Sequence, residues 1–129
     1  MLWSDKIMQK LSEKLDRAAL RQQLISHNIA NLNTPGFKRS YLPFQEELEK
    51  ARGKASLYRT HPRHLEGRGL QEPRVITESW TSRRPDGNNV DLDKEMIDLV
   101  TNQLRYNLLV QQLNGRFANL RDIINEGRG

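Results

Sequence analysis

The stretch "LDKEMIDLVTNQLRYNLLVQQLNGRFANLRDII", Leu92 to Ile124, decides the fold. Alternating steps of four and three from Leu92 visit Leu92, Met96, Leu99, Gln103, Tyr106, Val110, Leu113, Phe117, Leu120 and Ile124, and Gln103 alone among them is not apolar. That spacing predicts one long helix with a heptad seam. Asp91 is a suitable N-cap, Asp93 and Glu95 place negative charge in the first turn, and Gly127 lies beyond the last periodic residue. At about 1.5 Å per residue the helix would run about 50 Å. Gly115 interrupts it at a cost of about 1 kcal/mol relative to alanine, which a close neighbour passing there would explain.

The N-terminal segment carries a matching pattern: Met8, Leu11, Leu15, Ala18, Gln22, Ile25, Ile29 and Leu32. Neither helix buries its stripe alone, and helices draw most of their stability from packing, so the two are expected to pack on each other. An antiparallel pairing with Leu32 beside Leu92 sets Ile29 against Met96, Ile25 against Leu99, Gln22 against Gln103 and Ala18 against Tyr106. The polar members of the two seams then meet, and a buried polar pair fixes register. Ile97, Val100, Leu104 and Leu108 form a second apolar row on the C-terminal helix, as do Leu20 and Leu24 on the N-terminal one. A two-helix hairpin covers only one row per helix. The spare row should face another subunit, because exposed apolar patches of that size are uncommon in monomers; the alternative is that residues 40–90 fold back over it.

Between the helices the composition changes. Pro43 at a first helical position, Phe44, Leu48 and Ala51 at helical spacing, and a Glu46/Lys50 pair describe a short helix ending at Gly53. The following residues hold three of the five prolines and three of the eight glycines; Val75 to Trp80 could form a short strand and the rest reads as loop. The fold class is therefore mainly α: long N- and C-terminal helices forming an antiparallel coiled-coil-like hairpin, with an irregular central segment holding a short helix and little β.

Composition narrows the function. The chain has 129 residues, 36% of them hydrophobic, no cysteine, and a formal charge of +5. Its core should be thin, and neither a disulfide framework nor a thiol nucleophile is open to it. The start, "MLWSDKIMQK", lacks the pattern of a cleavable signal peptide, and no apolar run is long enough to span a bilayer. His61 and His64 stand three apart, but Pro62 breaks a regular helix between them and Glu66 is the one nearby carboxylate, too few ligands for a metal site. Ser26 and His27 are adjacent on a helix and point about 100° apart, so they are no nucleophile and base pair. The two "GRG" triplets lack a phosphate-loop context. No enzyme activity, metal or cofactor is expected.

Charge is unevenly spread, from +4 over residues 1–39 (seven Lys/Arg, three Asp/Glu) to −1 over residues 91–129 (five and six). Such a gradient suits attraction between copies or contact with nucleic acid. Lys6, Lys10, Lys14, Arg17 and Arg21 form a basic stripe, yet a basic-zipper reader places its basic region ahead of the seam, and here Asp5, Glu13 and Asp16 interleave. A solvated or inter-subunit face is favoured, with a basic helical nucleic-acid-binding module as the alternative.

The segment "SHNIANLNTPGFKR", Ser26 to Arg39, reads physically as a helix end. Thr34 precedes Pro35 and leaves the helical region; Thr34-Pro35-Gly36-Phe37 suits a type II turn with Gly36 at positive φ. Asn33 is placed to cap or to bond its local backbone. An ordinary helix stop accounts for Asn33 to Gly36 but not for Asn28 and Asn31, which share a face beside Ile29, with Ala30 small enough for a second backbone to approach. Both amides are expected to bond a neighbouring subunit or the start of the C-terminal helix.

This segment closely resembles the N-terminal signature of the bacterial flagellar axial proteins, and "RTHPRHL" at Arg59 to Leu65 and "DGNNVDLDKEM" at Asp86 to Met96 resemble the proximal members of the flagellar basal-body rod protein family. The resemblance spans essentially the whole chain. It implies a structural subunit of the flagellar basal body that leaves the cytoplasm unprocessed through the flagellar export apparatus and assembles into a helical rod across the periplasm. It also implies an inner coiled-coil layer made of residues 1–33 and 91–129, with residues 34–90 as the central turn, short helix and loop outside it. The assembly motif would be Asn28, Ile29, Ala30, Asn31, Asn33, Thr34, Pro35, Gly36 and Phe37. Implied partners are copies of the chain, FlgC and the distal rod proteins, and the rod-base adaptor FliE, with no nucleic acid and no direct membrane span.

Overall fold

The computed structural model describes residues 2–43 and 73–127, with side chains described from residue 6 onward. Pro43, the expected first residue of the short helix, is described and lies outside any helix, while residues 44–53, the His61/His64 pair and the Arg59 to Leu65 motif lie outside the described residues.

Two long helices dominate, α1 (Leu2–Ala30) and α2 (Leu92–Glu126), and they pack on each other. Asp91 caps α2 from an extended conformation, its carboxylate accepting from the backbone N–H of Asp93 and Lys94 at 3.1 and 3.5 Å, while Asp93 and Glu95 place charge toward the positive end of the helix dipole. Between the helices, β1 (Ser40–Tyr41) pairs antiparallel with β2 (Ile76–Thr77), with Ser40 opposite Thr77 and Tyr41 opposite Ile76. The expected Val75–Trp80 strand is thus a two-residue ladder that turns at Ser79 and Trp80. Among the described residues no helix is long and apolar enough to cross a membrane.

On α1 the buried apolar residues follow the heptad: Leu11, Ala18 and Ile25 are enclosed, and Leu15, Gln22, Ile29 and Leu32 of the same seam are half-buried, while Asn28, off the seam, is enclosed as well. On α2 the inward face lies elsewhere. Its enclosed residues are Glu95 and Asn102, seven apart. Of the α2 seam, Leu99, Val110, Leu113 and Leu120 are half-buried, whereas Leu92, Met96, Gln103, Tyr106, Phe117 and Ile124 are exposed. Gln22 accordingly meets Asn102 rather than Gln103: the Asn102 amide donates to Gln22 Oε1 at 3.0 Å and to the Ala18 carbonyl at 2.9 Å. The longitudinal register is close to the expected one, but α2 is turned by about one residue step of ~100°. The physical reason is that buried hydrogen-bonding groups must be paired. Glu95 and Asn102 find partners on α1 and on the segment after it, so that face turns inward and the apolar seam slides toward the edge.

The described interior is consequently as polar as it is apolar. Among the described residues Leu11, Ala18, Ile25, Leu42 and Val90 are the buried hydrophobic ones, against Asn28, Arg39, Asn88, Asn89, Glu95 and Asn102. Ile97, Val100, Leu104 and Leu108 point outward, with 66% of Ile97 and 61% of Leu104 exposed. No described atom outside its own helix approaches within 4 Å of where a Cβ on Gly115 would sit, so the neighbour expected there is not within the described subunit.

Candidate assembly site

The turn that ends α1 has the expected geometry. Gly36 adopts φ 70° and Phe37 N–H donates to the Thr34 carbonyl at 3.3 Å, the i to i+3 bond of a type II turn. A second positive-φ glycine, Gly87 at φ 87°, stacks on it, and a Cβ there would lie 3.6 Å from the Gly36 Cα. Gly36 N–H donates to the Asp86 carbonyl at 2.9 Å, so "NTPG" and "PDGNN" form one body.

Asn88, fully buried, secures that body. Its side-chain amide donates to the carbonyls of Asn31, Leu32 and Thr34 at 3.1, 2.9 and 2.9 Å, satisfying the orphan acceptors at the end of α1. The Arg84 guanidinium adds a bond to the Leu32 carbonyl at 3.0 Å and reaches Asn33 Oδ1 at 3.5 Å. Phe37 packs its ring at 5.4 Å from that of His27. Lys38 is tied down too, its ammonium donating at 2.6 Å to the carbonyls of both Thr81 and Gly87.

The two singled-out amides separate here. Asn28, 1% exposed, donates to the Ser40 carbonyl at 2.8 Å and to Glu95 Oε2 at 3.2 Å, and its Oδ1 accepts from Ser40 N–H at 3.0 Å. It therefore reaches the start of α2, one of the two destinations expected. Asn31 stays local, donating to the His27 carbonyl at 2.8 Å and accepting from the Thr34 hydroxyl at 3.1 Å, both exposed bonds of a helix end. Ile29 is half-buried, while Ala30, Asn33, Thr34 and Pro35 are exposed.

Behind Asn28 lies an ionic centre that periodicity missed. Arg39 Nε donates to Glu95 Oε1 at 2.8 Å, Nη1 reaches Glu78 at 3.4 Å, Nη2 reaches Asp98 at 3.6 Å, and the guanidinium sits 5.2 Å from the centre of the Tyr41 ring. The Arg39 backbone N–H donates to Asn89 Oδ1 at 2.7 Å, and the Asn89 amide donates to the Glu78 carbonyl and the Thr81 hydroxyl at 2.6 and 2.9 Å. A buried carboxylate with no exposed surface is tolerated because both oxygens are occupied by donors and a guanidinium balances its charge. Next to it, Arg83 pairs with Asp91. Desolvation pushes the Asp91 carboxyl up, but the Lys94 and Asp93 backbone N–H groups and the Arg83 charge outweigh it, holding the group below its ordinary value.

In chemical terms the site is a polar clasp joining the end of α1 to the start of α2. No described group of His, Asp or Glu side chains is arranged to hold a metal ion. Beside the clasp stands the exposed apolar row of Ile97, Val100, Leu104 and Leu108, which no other described residue covers. The fold and site together define an α-helical building block with a polar clasp at its head and an apolar row exposed on one face of α2. The chain matches the family described as "Flagella basal body rod protein" over residues 12–38, most of α1 and the turn that follows it. It is 36% identical over 122 residues to the flagellar basal body rod protein FlgB of Bacillus subtilis, with 94% of this chain and 95% of that protein covered. The FlgB proteins of Borreliella burgdorferi and Escherichia coli are 40% and 30% identical, over 74% and 89% of this chain and 78% and 90% of theirs. The chain belongs to the flagellar basal body rod protein family, and its function is that of a structural rod subunit rather than an enzyme.

Proposed function

We propose that the chain works by polymerisation within the rod, through the outward face of α2, and that the rod so built transmits torque across the periplasm. One observation carries this reading: α2 is inside-out over its first half, with Glu95 and Asn102 enclosed and Ile97, Val100, Leu104 and Leu108 facing outward. Each such side chain stabilises by about 1.5–3 kcal/mol when fully buried, so a subunit with that row open is completed by association. A head-to-tail contact that does not close on itself produces a helical polymer, the shape a rod requires. Residues 1–33 and 91–129 would form the inner layer and residues 34–90 the outside. The partners would be copies of the chain, FlgC, distal rod proteins and FliE, with passage through the flagellar export apparatus.

The nucleic-acid alternative gains no support from the comparisons. Its basic stripe is also interrupted as an open surface: Lys6, Lys10 and Lys14 are exposed, but Arg17 and Arg21 are half-buried on the hairpin.

The test is isolation of detergent-resistant basal bodies from the source cell and from a deletion strain complemented with Ile97→Asp/Leu104→Asp. The native chain should co-purify and restore motility, and the variant should do neither while accumulating as a folded monomer. Full motility with the double variant would overturn the reading.

A further inference from the structure

The face that α2 turns inward is not its most apolar one. At ~100° per residue, Ile97, Val100, Leu104 and Leu108 centre roughly opposite Glu95 and Asn102. A hairpin driven by apolar burial alone would rotate α2 about its axis and lay that row against Leu11, Ala18 and Ile25 of α1. Directional bonds oppose the rotation at two heights. Near the head, Glu95 is held by Asn28 and Arg39; further along, Asn102 is held by Gln22 and the Ala18 carbonyl. Asn102 is a poor choice for stability, because it is 2% exposed and its Oδ1 accepts no hydrogen bond from a described group, a cost that an apolar residue would avoid. A buried amide of that kind is known to select one helix arrangement over others at the expense of stability.

We propose that Asn102, acting with Glu95, sets the rotation of α2 and so keeps the apolar row on the outside of the free subunit. The inference rests on the assembly reading for the purpose of the row, but the rotation itself is a property of the monomer. Asn102 is a positioning residue: it orients the interface without belonging to it. Glu95 fixes the same rotation at the head, so neither residue alone is sufficient to release it.

The chain has no cysteine, so Leu104→Cys introduces a single reporter thiol. Its alkylation is measured on full-length chain, dilute enough to sediment as monomer, with and without Glu95→Leu/Asn102→Leu. The proposal expects at least a tenfold fall in alkylation rate in the Leu-substituted background as the row turns inward. A reporter made by Leu109→Cys, on the half-buried side, should become faster in the same background. Unchanged rates at both reporters in a chain of undiminished helicity would overturn the proposal. If the double substitution fails to fold, urea unfolding of Asn102→Leu alone decides: a folding equilibrium constant equal to or above the parent's supports a residue kept for orientation, and a tenfold fall overturns it. Because all readouts are taken on monomer, they succeed or fail independently of whether the row is the assembly face.

Discussion

Asn28 and Asn31 lie three residues apart on one helix, yet they differ in the number of buried groups that depend on them. Removing the Asn28 amide leaves the Ser40 N–H, the Ser40 carbonyl and one oxygen of Glu95 short of partners in a nearly dry site. Asn28→Ala should therefore cost about 3 kcal/mol of hairpin stability, since each unsatisfied buried group costs about 1–3 kcal/mol. Asn31→Ala removes two solvent-exposed bonds and should cost less than about 1 kcal/mol. Urea unfolding followed by far-UV circular dichroism checks the pair, and equal losses would defeat the distinction. Glu95 gives a sharper version. Its carboxylate accepts from Asn28 at one oxygen and from Arg39 at the other, whereas glutamine offers one acceptor and turns an NH2 group against a donor. Glu95→Gln should destabilise by about 3 kcal/mol, in the range for breaking a buried ion pair, despite its near-identical shape.

At the level of the helices, the start of α2 carries a pH dependence with a definite sign. The Asp91 carboxyl is held below the ordinary aspartate range in the folded state, so the folded state releases that proton more readily than the unfolded chain. The contribution is complete above the unfolded value and is lost as pH falls through the folded one, that is, below about pH 4. Asp91→Asn should remove that part of the acid limb of an unfolding curve while leaving the curve's shape near neutrality unchanged. Gly115 offers the opposite outcome. It is helical with open space at its Cβ position, so Gly115→Ala should stabilise α2 by about 1 kcal/mol in thermal unfolding. A loss of motility in the same variant would show that a neighbouring subunit passes there. The helices also show what was legible in the sequence. The α1 stripe could be read because its enclosed apolar residues Leu11, Ala18 and Ile25 are seven apart, so the periodicity and the burial coincide up to Asn28, where a polar residue is enclosed. On α2 the enclosed positions are Glu95 and Asn102, also seven apart, and a search for apolar spacing passes over them. The type II turn was readable from Thr34-Pro35-Gly36 because proline and glycine restrict the backbone locally. Arg39 and Asn88 were not, because Arg39 finds Glu78 and Glu95 39 and 56 residues away and Asn88 holds backbone carbonyls 54 to 57 residues away, and such partners leave no mark on local spacing.

For the whole molecule, the polar clasp and the apolar row have opposite consequences for mutation. Substitutions in the clasp damage the monomer first and the rod only as a result. Substitutions in the row should do the reverse, because those side chains are exposed and leave nothing unpaired when replaced. Ile97→Ser/Leu104→Ser should keep hairpin stability within about 0.5 kcal/mol of the parent, as surface changes do. If the two side chains are buried between subunits, each removes about 1.5–3 kcal/mol of association, and the pair should weaken assembly by roughly 10²- to 10⁴-fold. Asn107→Ser, also exposed on α2, is the matched control and should leave both quantities unchanged. Sedimentation of the purified chain over a concentration series, together with swarming of the complemented strain, separates the cases. Loss of motility with an intact, cooperative monomer places the row in the rod interface; loss of both together would mean that the row supports the subunit itself.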